Sequence, residues 1–180
     1  MKATIRQNAF VRFISLAAAL YLVLYIIYTF VVKKFTYYDQ RFIGSIINWT
    51  DGFLHLLGFK TFKVLQDRDM QVIGIDGGTG VWIGSNCNAI TLFSLFSVFI
   101  IAYPGRQKDK WWFILSGIIA IHLLNILRVA ALALIDRYAG PDALDFNHTY
   151  TFTFLIYAFI FGLWMLWINK FSGREVKRES

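Results

Sequence analysis

The sequence predicts an all-α polytopic membrane protein. It would have four transmembrane helices, an interfacial amphipathic helix and a small extracytoplasmic β-hairpin or meander. Three observations lead there. Hydrophobic residues make up 57% of the 180, and charged residues only 16%, against roughly 25% in ordinary soluble domains. A soluble domain of this size leaves much of its surface in water and has no room to hide so much apolar area. The apolar residues are gathered into four long runs. Lysine and arginine (18) exceed aspartate and glutamate (11), giving a net charge of +7, and the basic residues cluster beside those runs. Such an excess marks topology and attraction to anionic lipid, and does not require a nucleic-acid partner.

The first expected span, about residues 13–32, has no charge, glycine or proline. At ~1.5 Å per residue, a helix of about 20 residues crosses the roughly 30 Å hydrocarbon core. The run lacks a small-residue cleavage site, so it is expected to stay as an anchor. The second span, about residues 86–103, contains AITLFSLFSVFIIAY. Its apolar stretch is short for a span, so either the helix begins near Ser85 or the bilayer thins there. The third, about 111–135, carries His122, Asn125 and Arg128 within WWFILSGIIAIHLLNILRVAALALI. The fourth covers about 150–169, and residues 170–180 form a basic tail. Basic residues at the N-terminus (Lys2, Arg6, Arg12), in the 104–110 loop and in the tail place both termini in the cytoplasm. That orientation makes the protein a multi-pass component of the cytoplasmic membrane, with segment 33–85 and the active site facing outward. Trp111, Trp112, Trp164 and Trp167 fit an interfacial belt.

Within the outer segment, residues 37–59 read as a helix lying on the membrane surface. Phe42, Ile46, Ile47, Phe53, Leu54 and Leu57 form its apolar side, and Asn48, Asp51 and His55 its polar side. The β-branched runs TFKVLQ, MQVIGID and TGVWIG follow, separated by Asp67-Arg68-Asp69 and Asp76-Gly77-Gly78, and predict the meander. Gly77-Gly78-Thr79-Gly80 lacks the Lys-Ser/Thr of a phosphate-binding loop and reads as a turn.

The single cysteine excludes an intramolecular disulfide, a CxxC redox pair and a cysteine zinc cluster. Cys87 is therefore either packing or a nucleophile. Ser85 or Asn86 is expected to cap the second span, placing Cys87 in the first helical turn. There the positive helix end favours a thiolate, and free N–H groups offer oxyanion donors. Arg128 is the costliest residue in the chain, at roughly 2.5–3.5 kcal/mol for an arginine within a span, so it should face the bundle. Its alternative role is helix glue or snorkelling. Asn125, three residues earlier, lies on a neighbouring face. His148 is either a plain loop histidine or a general acid–base. Given the topology, Cys87, Arg128 and His148 reach one depth from three helices, which are the parts for acyl transfer through a thioester. His122 reads as helix–helix glue, and His55 with Asp51 as a surface pair. Clustered ligands for a metal are too few, so no metal or other cofactor is expected.

The order Cys87, then Asn125-x-x-Arg128-Val129, then His148 resembles the exosortase/archaeosortase family of membrane cysteine transpeptidases. Asn86-Cys87-Asn88-Ala89-Ile90 is similar to the cysteine motif of its short, F-type members, whereas many longer members have Cys-Ser-Gly. The resemblance covers roughly residues 73–171. It implies that Cys87 is the nucleophile, that Arg128 and His148 complete a triad, and that Asn125 supports them. It further implies partners that are membrane-anchored proteins bearing a C-terminal sorting signal, namely a short motif, a hydrophobic span and a basic end. Cleavage would occur at the outer interface, by transpeptidation or by hydrolysis. The competing class is a non-enzymatic membrane scaffold or assembly subunit of an export or surface-attachment system, in which Cys87 is packing and Arg128 bundle glue.

Overall fold

The computed structural model describes residues 2–27, 29–30, 36–66, 70–84, 87 and 89–172. Its elements are α1 (Lys2–Ile27), α2 (Thr36–Leu56), β1 (Thr61–Gln66), β2 (Met70–Ile75), β3 (Val81–Ile83), α3 (Ile90–Ala102), α4 (Gln107–Phe146) and α5 (Phe152–Trp167). A π-helical turn, Asn147–Thr151, joins α4 to α5, and a second, Ile168–Ser172, follows α5.

The strands form one antiparallel sheet in the order β1-β2-β3. Thr61 faces Ile75 and Gln71 faces Ile83 in the two ladders. Alternation then puts Ile73, Ile75, Val81 and Ile83 on one face, all nearly fully buried, while Trp82 on the other face stays exposed.

That buried face packs on α2 and on the C-terminal part of α4. Ile43, Ile46, Ile47 and Leu54 from α2 join Val129, Ala130, Leu132 and Ala133 from α4 in the same core. This departs from the expected placement of α2 on the membrane surface: its apolar stripe is covered by protein through Leu54, and Leu57 beyond it stays exposed. The polar side of α2 is tied to β1. Lys63 Nζ reaches Asp51 Oδ2 at 2.7 Å, Thr61 Oγ1 donates to Asp51, and Thr61 Oγ1 lies 3.0 Å from His55 Nε2. Burial alone would raise the Asp51 carboxyl, but the donors Lys63 and Thr61 hold it below its ordinary value.

A second core joins Phe96 and Ile100 of α3, Phe113, Ile114 and Ile121 of α4, and Ile156, Ile160 and Trp167 of α5. Trp164 stacks on Phe99 at 4.4 Å, and Trp167 is fully buried, so these two tryptophans pack inside instead of forming a belt; Trp111 and Trp112 remain exposed. Close packing in this core depends on Gly117. A Cβ there would lie 2.2 Å from the Phe96 ring, and Phe96 is itself fully buried against Phe113. Gly117→Ala is expected to cost about 1–3 kcal/mol, read as a lowered Tm in detergent micelles.

The four-span fold class is not what the structure shows. Among the described residues, one helical run, Gln107–Phe171, is long and apolar enough to cross a membrane. The apolar part of α1, Val11–Ile26, and the helix Ile90–Ala102 are shorter, at 10–17 residues. At 13 residues, α3 covers only about 20 Å, because the chain turns through Ala89 before it and reaches Pro104-Gly105 soon after it. Part of the expected first span (28, 31–32) lies outside the described residues, as do Arg68 and most of the basic tail. The expected third and fourth spans belong to the single run: the 136–149 stretch between them is helical, kinked at Gly140 (φ 84°, ψ 176°) ahead of Pro141. The run bends back on itself, with Phe113 near its start 5.2 Å from the Trp167 ring and 5.3 Å from that of Phe171. The multi-pass topology, with cytoplasmic termini and an outward-facing site, required four crossing helices and is corrected together with the span count.

Candidate active site

Cys87 sits where the two cores meet. β3 ends at Ile83, and the Cys87 N–H donates to Gly84 O at 2.8 Å, closing a tight turn. Asn125 Nδ2, on α4, donates to Cys87 O at 2.9 Å. Both backbone groups of the cysteine are thus tied, one to its own loop and one to the long helix. Ala89 then takes a left-handed conformation (φ 60°) and launches α3 at Ile90. For a residue with a Cβ that conformation costs on the order of 1 kcal/mol, an outlier of the kind that clusters at functional sites.

This corrects the expected helix register. Cys87 precedes α3 instead of occupying its first turn, and its N–H is engaged and does not face a substrate as an oxyanion donor. Ser85, Asn86 and Asn88, to which the cap and part of the cysteine motif were assigned, lie outside the described residues.

His148 enters from the π-helical turn Asn147–Thr151. A π-turn adds one residue per turn to the helix, a device frequent at functional sites. It brings Nε2 to 3.4 Å from Cys87 Sγ. In the neutral imidazole with the proton on Nδ1, Nε2 is an acceptor for the thiol proton. Asn147 Nδ2 donates to Ala143 O at 2.8 Å and pins the start of the turn.

Arg128 projects from α4 into the same place and interacts electrostatically with both Cys87 and His148. Its Nε is buried without a hydrogen-bond partner among the described residues, as is Asn125 Oδ1. Cys87, Arg128 and His148 line one cleft of about 350 Å³. A larger cleft, about 460 Å³, lies between α2 and the sheet beside Arg41, Lys63 and Gln71, and contains none of the three. A thiol, an imidazole acceptor and a guanidinium in one cleft are the components of nucleophilic attack on a carbonyl, with a proton acceptor and a cation for the developing oxyanion.

His122 lies elsewhere, its ring 5.6 Å from Phe42 and 6.4 Å from Phe93. Asp51 and His55 approach to 3.5 Å at the α2–β1 junction, away from the cysteine. Among the described residues no three His, Cys, Asp or Glu side chains gather as a metal site would need.

Sequence reasoning missed two features. One is Asp136. It is a buried α4 residue whose Oδ2 accepts from the N–H of Thr79 (2.9 Å) and Gly80 (2.8 Å), and it clamps the turn that leads into β3. The other is the set of hydroxyls, Thr91, Thr149, Thr153 and Tyr157, that line the cysteine cleft. The four-residue spacing from Thr149 to Tyr157 was a visible signal.

The family model described as Transmembrane exosortase (Exosortase_EpsH) matches residues 6–168. No curated protein and no solved structure matches the chain. That family match, together with the buried cysteine beside His148, supports a cysteine peptidase-like enzyme with a cysteine-based mechanism, and the family implies substrates that interact with membranes.

Proposed function

The chain belongs to the transmembrane exosortase family, and on that premise we propose that it is a cysteine transpeptidase or protease that cleaves a C-terminal sorting signal from exported proteins. Cys87 is the nucleophile, His148 the proton shuttle and Arg128 the oxyanion-stabilising cation, with Asn125 supporting the nucleophile's turn. The observation that carries this reading is the 3.4 Å approach of Cys87 Sγ to His148 Nε2 in a cleft that also takes Arg128.

The chemistry follows in order. His148 Nε2 accepts the thiol proton as sulfur attacks the peptide carbonyl carbon. The carbonyl oxygen becomes an oxyanion beside the guanidinium, whose unpartnered Nε is a donor in wait. His148 returns the proton to the leaving nitrogen, the C–N bond breaks, and a thioester remains on Cys87. An acceptor amine, deprotonated by His148, attacks the thioester carbonyl and releases the sulfur, which recovers a proton. Water in place of the amine gives hydrolysis by the same route.

The test is to co-express the full chain with a panel of reporters, each ending in a different short polar motif, an apolar helix of about 20 residues and a basic end. The expected result is a shortened reporter together with an acyl adduct on Cys87, seen in the intact mass and released by hydroxylamine. A shortened reporter with no adduct on Cys87 defeats the thioester route, and reporters left whole across the panel defeat peptide cleavage.

A further inference from the structure

We propose that the wall of the Cys87 cleft is a hydroxyl ladder that takes the unwound main chain of the substrate beside the bond being cut. The inference rests on the reading of Cys87 as nucleophile and adds to it a recognition element directed at backbone. Thr149, Thr153 and Tyr157 are spaced four apart, so they lie as one stripe along the π-turn and α5, running away from His148. Thr91, in the first turn of α3, lines the same cleft with them. From Thr149 to Tyr157 the stripe is about 12 Å long, the reach of three to four extended residues at ~3.3 Å each.

Two features make these hydroxyls available. Thr91, Thr149 and Tyr157 have no hydrogen-bond partner among the described residues, and Thr153 makes only a long contact, 3.4 Å, to His148 O. Apart from Cys87, Arg128 and His148, the cleft is completed by two apolar side chains, Leu92 and Ile156. The cleft therefore offers an incoming segment apolar contact plus a row of groups that both donate and accept.

The chemistry of the reaction calls for such a row. A carbonyl inside an apolar helix is held in its i→i−4 bond and is shielded from an attacking sulfur, so the substrate has to open at the scissile bond. Each peptide group freed from a helix in apolar surroundings needs a new partner or carries a desolvation penalty. A hydroxyl satisfies either an N–H or a C=O without regard to the side chain. The ladder thus favours an extended polypeptide over a small electrophile and leaves side-chain selection to other surfaces.

The experiment compares two alkylating probes on the full chain in detergent micelles, with labelling of Cys87 followed by mass spectrometry and both rates normalised to free cysteine. Iodoacetamide has no peptide backbone to bind; acetyl-tetraalanine chloromethyl ketone does. In both cases sulfur displaces halide from carbon. The wild type is expected to prefer the peptide reagent by about tenfold or more. Each of Thr149→Val, Thr153→Val and Tyr157→Phe is expected to slow the peptide reagent about fivefold, the effect of one hydrogen bond, with iodoacetamide labelling held. Thr149→Ser and Thr153→Ser, which keep the hydroxyl, are expected to restore it. Equal treatment of the two probes by the wild type overturns the ladder, and so do valine variants that slow neither probe or slow both alike. A Cys87 that neither probe labels overturns the nucleophile reading itself.

Discussion

Cys87→Ala is expected to abolish processing of the reporter, a fall of at least about 10⁴-fold, while the chain still folds. The chain has one cysteine, so no second thiol can take over. The change removes a single sulfur from a site already 8% exposed and leaves the anchors of its turn intact, because the bonds from Cys87 N–H to Gly84 O and from Asn125 Nδ2 to Cys87 O use backbone atoms. Any loss is therefore chemical. Cys87→Ser keeps the shape but replaces a thiol with a hydroxyl that a lone imidazole activates poorly, so it should process only marginally better than alanine. His148→Ala leaves the thiol in place and removes the proton acceptor, with an expected loss of about 10²–10⁴-fold. Processing rates with the reporter, paired with a Tm for each variant, check all three. Full processing by a well-folded Cys87→Ala protein would remove the cysteine from the chemistry altogether.

How much of this was legible in the residues depended on which physical signal each feature leaves. The strand runs were readable, because β-branched alternation and the Asp76-Gly77-Gly78 turn are local, and β1, β2 and β3 fall within TFKVLQ, MQVIGID and TGVWIG. The amphipathic pattern of α2 was readable too, but periodicity reports only that a face is apolar. Whether lipid or protein covers it is a tertiary fact, and here Ile73, Val81 and Leu132 do. The span count failed for a related reason. Gly140-Pro141 looks like loop chemistry, yet proline is at home in the first turn of a helix, so the chain kinks there and stays helical into the π-turn that carries His148. Ala89 in a left-handed conformation left no trace in composition, since alanine rarely adopts it, and the start of α3 moved to Ile90 as a result. Cys87, Arg128 and His148 were nominated by cost and order. The common depth expected for them rested on the four-span topology and falls with it; their meeting in one cleft is a matter of tertiary packing, with Cys87 after β3, Arg128 on α4 and His148 in the π-turn.

Asp136→Ala is expected to be strongly destabilising where the sheet meets α4, at about 2–4 kcal/mol. Asp136 is 5% exposed and holds the β2–β3 connection to α4 from one carboxylate. Its Oδ2 accepts from the N–H groups of Thr79 and Gly80, and its Oδ1 accepts from the Thr79 hydroxyl. Alanine strands the buried Gly80 N–H at a cost of about 1–3 kcal/mol, and takes the partner from the N–H and hydroxyl of Thr79, an exposed residue whose donors turn to water at smaller cost. The neighbouring bond from Arg137 Nε to Asp76 O, at 2.9 Å, is more exposed and does not compensate. Asp136→Asn retains an oxygen for the two backbone donors and should cost only about 1 kcal/mol. The consequence extends to the active site, because β3 is three residues long and ends one residue before Gly84, whose carbonyl receives the Cys87 N–H. Releasing the turn frees β3 at one end and loosens the cysteine at the other. Denaturation in detergent should show the lowered Tm, and amide exchange should show lost protection at Thr79, Gly80 and residues 81–83. Alkylation of Cys87 should become faster in the alanine variant and stay near the wild-type rate in the asparagine one. An alanine variant that melts at the wild-type temperature, with the Thr79 and Gly80 amides still protected, would mean that the clamp is not what holds the meander to α4.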